Sequence, residues 1–130
     1  MNIGERVMAN TRLTCVVRKG FELPEGLLAA QVAHLSDQWM RSRILAGRPF
    51  SEEEQEWMSK PYISILAVNT KEELQDIYDD AVKSGLTVCR WEDLVPSEAL
   101  KKSIKVWVGI SIGPADFDQI KEITGNLPLY

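Results

Sequence analysis

The sequence is short of the groups that most often announce a function. Its 130 residues hold one histidine and two cysteines. A single histidine excludes a catalytic histidine pair and any multi-histidine metal centre. Cys15 and Cys89 lie far apart in the chain, in two strand-like stretches. That spacing makes neither a zinc motif nor a disulfide framework, and buried reduced thiols are the expectation. No apolar run approaches the roughly 20 residues that span a bilayer. No basic segment leads into an apolar one at the N-terminus, so an export signal is not expected. These absences favour a cytoplasmic protein without a membrane partner. Residues 1–10 read as a flexible lead-in, and 11–130 as one domain with no repeat, linker or low-complexity tract.

Positive charge is also scarce. Fifteen Lys and Arg against nineteen Asp and Glu give a net charge of −4. That excludes a chain-wide attraction to nucleic acid, which depends on neutralising phosphates. Basic residues instead gather locally: Arg41, Arg43 and Arg48; Lys101, Lys102 and Lys105; and Arg18-Lys19. Acids concentrate in 52–56, 72–80 and 116–122. These read as helix starts and solvated faces rather than convergent metal ligands.

Enough apolar residues are present for a core. Residues 11–19 are rich in Val, Thr and Leu and predict a first strand. After Pro24 a long helix is predicted to run to about residue 46. Leu28, Val32, Leu35 and Trp39 recur along it as one buried stripe. Leu27, Gln31, His34 and Gln38 form a neighbouring stripe, which places Gln31 and His34 at the border of the buried face. Ser51-Glu52-Glu53-Glu54 and Thr70-Lys71-Glu72-Glu73 have the pattern of capping boxes and start two further helices. Strands are expected at 61–68, 86–91 and 104–112, and Gly113-Pro114 is expected to turn the chain into a last helix over 115–123. The order β-α-α-β-α-β-β-α predicts an α/β fold: a three-layer α/β/α arrangement around a small mixed four-stranded sheet.

The run Gly26-Leu27-Leu28-Ala29-Ala30-Gln31-Val32-Ala33-His34, with Val16-Val17-Arg18-Lys19 before it and Ile112-Gly113-Pro114 after it, resembles the type 2 peptidyl-tRNA hydrolases. The resemblance covers nearly the whole chain after Asn10. In that family the helix opens with Gly-Lys ahead of Ala-Ala-Gln-x-x-His; here Leu27 occupies the lysine position. The family also carries Asp-x-Gly-x-Thr after its third strand. This chain reads Arg90-Trp91-Glu92-Asp93-Leu94-Val95-Pro96-Ser97, in which Asp93 and Ser97 have the corresponding spacing.

The resemblance implies hydrolysis of the ester between peptide and tRNA, without metal or cofactor. It implies tRNA or peptidyl-tRNA as partner, and the homodimers the family often forms make Trp57 and Met58 candidate contacts. Gln31, His34 and Asp93 are the candidate catalytic residues; Arg18, Lys19, Leu27 and Trp91 are the candidate substrate-binding ones. The alternative is a non-catalytic member of the same fold that binds RNA, a nucleotide or a protein.

Each candidate has a plainer reading. His34 is a general base near neutral pH, or a helix residue bonded to nearby backbone. Gln31 binds substrate, or ties its helix to an adjacent loop. Arg18 and Lys19 bind phosphate beside the first helix's N-terminus, or are simply solvated. Trp91 stacks on a base, or caps the sheet edge. Trp39 and Trp57 are expected in the core, and Trp107 on one sheet face with Lys105 and Gly109.

Overall fold

Two strands at the centre of the sheet organise everything else. The computed structural model describes residues 10–20, 23–97 and 100–130. Strand β1 (Thr11–Arg18) pairs in parallel with β2 (Ile63–Val68) on one side and antiparallel with β4 (Lys102–Asp116) on the other. Strand β3 (Val88–Ser97) pairs antiparallel with β4, giving the order β2-β1-β4-β3. The sheet is mixed because β4 runs against both neighbours.

Helices cover both faces. Helix α1 (Glu25–Leu45) and α2 (Glu52–Ser59) lie on one, α3 (Lys71–Lys83) and α4 (Phe117–Thr124) on the other. The alternation of β1 sorts its side chains between the two layers. Cys15 and Val17 pack with Leu35, Val95 and Val108 under α1. Leu13 meets Trp39 and Trp57 at the α1–α2 corner. Val16 packs with Val68, Leu74, Ile110, Ile112 and Ile120 under α3 and α4.

The capping box at α2 forms in full. Ser51 accepts from the Glu54 N–H, and the Glu54 carboxylate accepts from the Ser51 N–H at 2.7 Å. Glu54 is nonetheless buried, where a solvated helix-start acid was expected, because Arg43 reaches across from α1 to pair with it at 2.9 Å. At α3 Thr70 caps the Glu73 N–H, and the Thr70 hydroxyl, rather than its N–H, faces the Glu73 carboxylate. Trp57 is buried edge-to-face against Trp39 and donates to the Tyr62 carbonyl at 2.8 Å. It is a core residue, not a free face for a dimer contact.

Three expectations need correction. First, β3 continues to Ser97 instead of ending at Trp91, because Trp91, Asp93 and Val95 alternate inward and all find partners under α1. Second, β4 runs through Gly113-Pro114 to Asp116, and α4 starts only at Phe117, whose N–H is held by the Asn10 carbonyl. Asn10 is thus part of the fold; the rest of the expected lead-in lies outside the described residues. Third, Trp107 and Gly109 do not share a face. Trp91 pairs with Gly109 and Glu92 with Trp107, so Val108 is an extra residue in β4, a β-bulge. Gly109 then lies under α1, where a Cβ would stand 2.5 Å from the Val16 carbonyl oxygen and 3.3 Å from Leu35. Only glycine allows that approach.

The outer edge of β2 is covered by the chain's end. Leu129 bridges Leu66, the Ala67 N–H donates to the Pro128 carbonyl and the Tyr130 N–H to the Ile65 carbonyl. Among the described residues β3 has no strand on its outer side. Its Pro96 is suited to such an edge, lacking an N–H to donate.

Candidate functional site

The buried stripe of α1 is Gln31, Leu35 and Trp39, at i, i+4 and i+8. Gln31 was expected at the border of the buried face; it lies at its centre and is fully buried. Leu28 and Val32 are displaced to the helix flank, where they line an apolar groove with Ile65 and Tyr130. The reason is chemical. A primary amide offers an acceptor and donors, and burying it unpaired costs about 1–3 kcal/mol. Strand β3 supplies both partners. The Trp91 Nε1–H donates to Gln31 Oε1 at 2.6 Å, and Gln31 Nε2 donates to Asp93 Oδ2 at 3.0 Å. The two bonds fix which way round the amide lies.

His34, one turn along α1, stacks on the Trp91 indole with centroids 4.3 Å apart and planes 23° from parallel. That contact replaces the expected bond to nearby backbone. It also covers one face of Trp91, which is itself packed against the core under α1. Trp91 thus sits on the outer strand β3 with its ring packed and its N–H engaged by Gln31.

Asp93 accepts a second bond, from the Leu94 N–H to Oδ1 at 2.8 Å. The Gln31 bond, then the Leu94 bond, hold its carboxyl below the usual aspartate range, with smaller contributions from His34 and Trp91 opposing a desolvation penalty. Asp93 is therefore a carboxylate at neutral pH and a weak base. It is half-buried, as is His34, so both reach the surface.

Gln31, His34, Trp91 and Asp93 thus form one cluster between α1 and β3. The other candidates do not join it. Arg18 and Lys19 were expected together beside the N-terminus of α1, but they part to opposite faces. Arg18 follows Val16 to the α3 side and donates from a terminal guanidinium nitrogen to the Trp107 carbonyl at 3.2 Å. Lys19 stays with α1 and lies over the Tyr130 ring at 5.4 Å. Leu27 is half-buried in the first turn of α1 and brings no charge there. Ser97 closes β3 and caps the Leu100 N–H at 3.3 Å. A hollow of about 540 Å³ between Trp39, Arg43, Arg48, Tyr78 and Cys89 contains none of the candidates.

Sequence reasoning missed the bonds that join these residues. It also missed Arg90, whose guanidinium lies over the Trp107 ring at 3.9 Å on the other face of β3. Alternation along Arg90-Trp91-Glu92-Asp93 was the available signal, hidden by ending the third strand at Trp91. Among the described residues no group of three or more His, Cys, Asp and Glu side chains converges as a metal site. Nor is any described helix long and apolar enough to cross a membrane.

Comparison with known proteins covers this whole architecture. Residues 11–130 match the family described as peptidyl-tRNA hydrolase PTH2. The chain is similar to proteins named peptidyl-tRNA hydrolase from several organisms. That of Nanoarchaeum equitans (strain Kin4-M) is 31% identical over 116 residues, 88% of this chain and 96% of that protein. That of Methanopyrus kandleri is 33% identical over 115 residues, covering 88% and 93%. That of Aeropyrum pernix is 29% identical over 120 residues, covering 88% and 92%.

Proposed function

Because the chain belongs to the peptidyl-tRNA hydrolase PTH2 family, we propose that the α1–β3 cluster hydrolyses the ester joining a peptide to the terminal ribose of tRNA. The observation that carries this reading is the Gln31 amide, fully buried and bonded at both ends to Trp91 and Asp93. It holds a carboxylate and an imidazole at one accessible place.

In the reaction His34 takes a proton from water as its oxygen adds to the ester carbonyl carbon. Asp93, kept ionised, stabilises the imidazolium that results. The tetrahedral intermediate then expels the ribose oxygen, which recovers the proton from His34. The products are a free carboxyl on the peptide and a hydroxyl on the tRNA. Trp91 keeps the imidazole from rotating, and Gln31 keeps Trp91 and Asp93 in register. Leu27 offers no charge to the developing oxyanion; Lys19, on the same face, is the nearest cation in sequence.

Leu27 also favours a second reading, a protein that binds RNA without turnover. One experiment separates them: release of acylated amino acid from N-blocked aminoacyl-tRNA by catalytic amounts of purified protein. Turnover that falls at least tenfold in His34→Ala and Asp93→Asn supports the hydrolase. Folded wild-type protein that binds tRNA but releases nothing above the uncatalysed rate overturns it in favour of the second.

A further inference from the structure

The opposite face of β3 carries a second constellation, with a charge balance unlike the rest of the chain. Arg18 at the end of β1, Lys71 at the start of α3, Arg90 on β3 and Lys105 on β4 line one hollow of about 270 Å³, whose floor includes Trp107. Among the described residues that line it, Glu92 is the one acid beside four cations, in a protein whose net charge is −4.

The two arginines are held in place. The Arg90 guanidinium carbon lies over the Trp107 indole at 3.9 Å, and Arg18 donates to the Trp107 carbonyl at 3.2 Å. Glu92 is shared between Arg90 at 3.3 Å and Lys105 at 3.9 Å, so one carboxylate serves two cations. Lys71 is the first residue of a 13-residue helix, so the positive end of the α3 dipole points the same way. Lys71, Arg90 and Lys105 around one hollow outnumber the single carboxylate between them, and an anion entering it relieves their repulsion. At roughly 30 Å³ per water, the space takes a phosphate with several waters. Stacked guanidinium groups suit phosphate oxygens, which they can bind in pairs.

We propose that this hollow binds a phosphate group, and that its source is the backbone of an RNA that passes around the outer edge of β3. The phosphate chemistry stands on the hollow alone; the RNA source rests on the hydrolase reading above. The RNA then contacts both faces of one strand, with Trp91 and Asp93 on one side and Arg90 and Glu92 on the other.

The test uses deacylated tRNA, by filter retention from 50 to 200 mM salt, and inorganic pyrophosphate, followed by tryptophan fluorescence. The Lys71→Ala/Lys105→Ala variant is expected to weaken tRNA binding severalfold and to lower the magnitude of the log–log salt slope by about 1.5 to 2. Glu92→Gln, which removes the competing acid, is expected to tighten it. Pyrophosphate is expected to displace tRNA from wild-type protein. Variants that change pyrophosphate binding but leave tRNA binding untouched would keep the phosphate site and overturn the RNA source. Binding of both ligands unchanged in the folded variants, or absent in wild type, would overturn the site. Should the double variant not fold, the sign of the Glu92→Gln effect decides, with tightening supporting the site and no change overturning it. Ester turnover in Asp93→Asn is read separately, so loss of the hydrolase reading leaves this result standing.

Discussion

The Trp91 indole N–H meets the Gln31 amide oxygen at 2.6 Å, across sixty residues of sequence. That bond ties the outermost strand of the sheet to the first helix, and it is made inside the protein rather than at its surface. It turns a polar residue in the buried stripe of α1 into the anchor of the candidate site.

Replacing Gln31 tests the anchor. Gln31→Leu keeps the volume but strands the Trp91 N–H and removes one donor from Asp93. A loss of about 1–3 kcal/mol is expected, read from the urea midpoint. Gln31→Glu places a second carboxylate against Asp93. It should be more destabilising at pH 7 than at pH 4, where protonation relieves the repulsion.

Asp93 sets a direction for the pH dependence. Its folded pKa lies below the unfolded value of 3.8. Its contribution to stability is therefore complete above that value and is lost as pH falls through the folded pKa. The stability difference between wild type and Asp93→Asn should be constant from pH 7 to about pH 5 and shrink below about pH 4. A difference that grew on acidification would contradict the bonding described.

Glu54 is the buried acid of the structure, paired with Arg43 and bonded to the Ser51 N–H. Glu54→Ala removes both a cap and a largely buried ion pair, and should cost about 3 kcal/mol in chemical denaturation. Glu54→Gln keeps the acceptor for Ser51 and should cost less.

The two thiols should differ in reactivity. Cys15 is fully buried, and burial pushes its thiol up to about 12. Cys89 is half-buried, raised by desolvation and eased by Ser111 and Arg43. With a thiol reagent at pH 8, one equivalent should react slowly in native protein, at Cys89, and the second only on unfolding. Mass mapping of the modified residue checks this.

Much of this was legible in the sequence. The element order, the Ser51 cap, the termination of α3 before Gly85 and the pairing of Gln31 with His34 on one side of α1 all followed from local pattern. What was not legible came from contacts between distant segments. Gln31 looked like a border residue because its neighbours are apolar at the expected spacing, and its partners lie on a strand far along the chain. The continuation of β3 was hidden because its inward positions include an aspartate, a residue that strands rarely bury without a partner. Arg18 and Lys19 look alike in sequence, but strand alternation sends adjacent residues to opposite faces.

Val108 is the extra residue that lets Trp107 and Ile110 face the same layer. Deleting it would restore an unbroken two-residue repeat with Trp107, Lys105 and Ile110 still facing α3, and would cost the α1 layer one buried side chain. A deletion in the regular part of β4, at Val106, would instead turn Lys105 away from the basic hollow to the side that holds His34 and Asp93. The two constellations are thus kept apart by the parity of a residue count, which survives the loss of the bulge residue but not the loss of a residue two places before it.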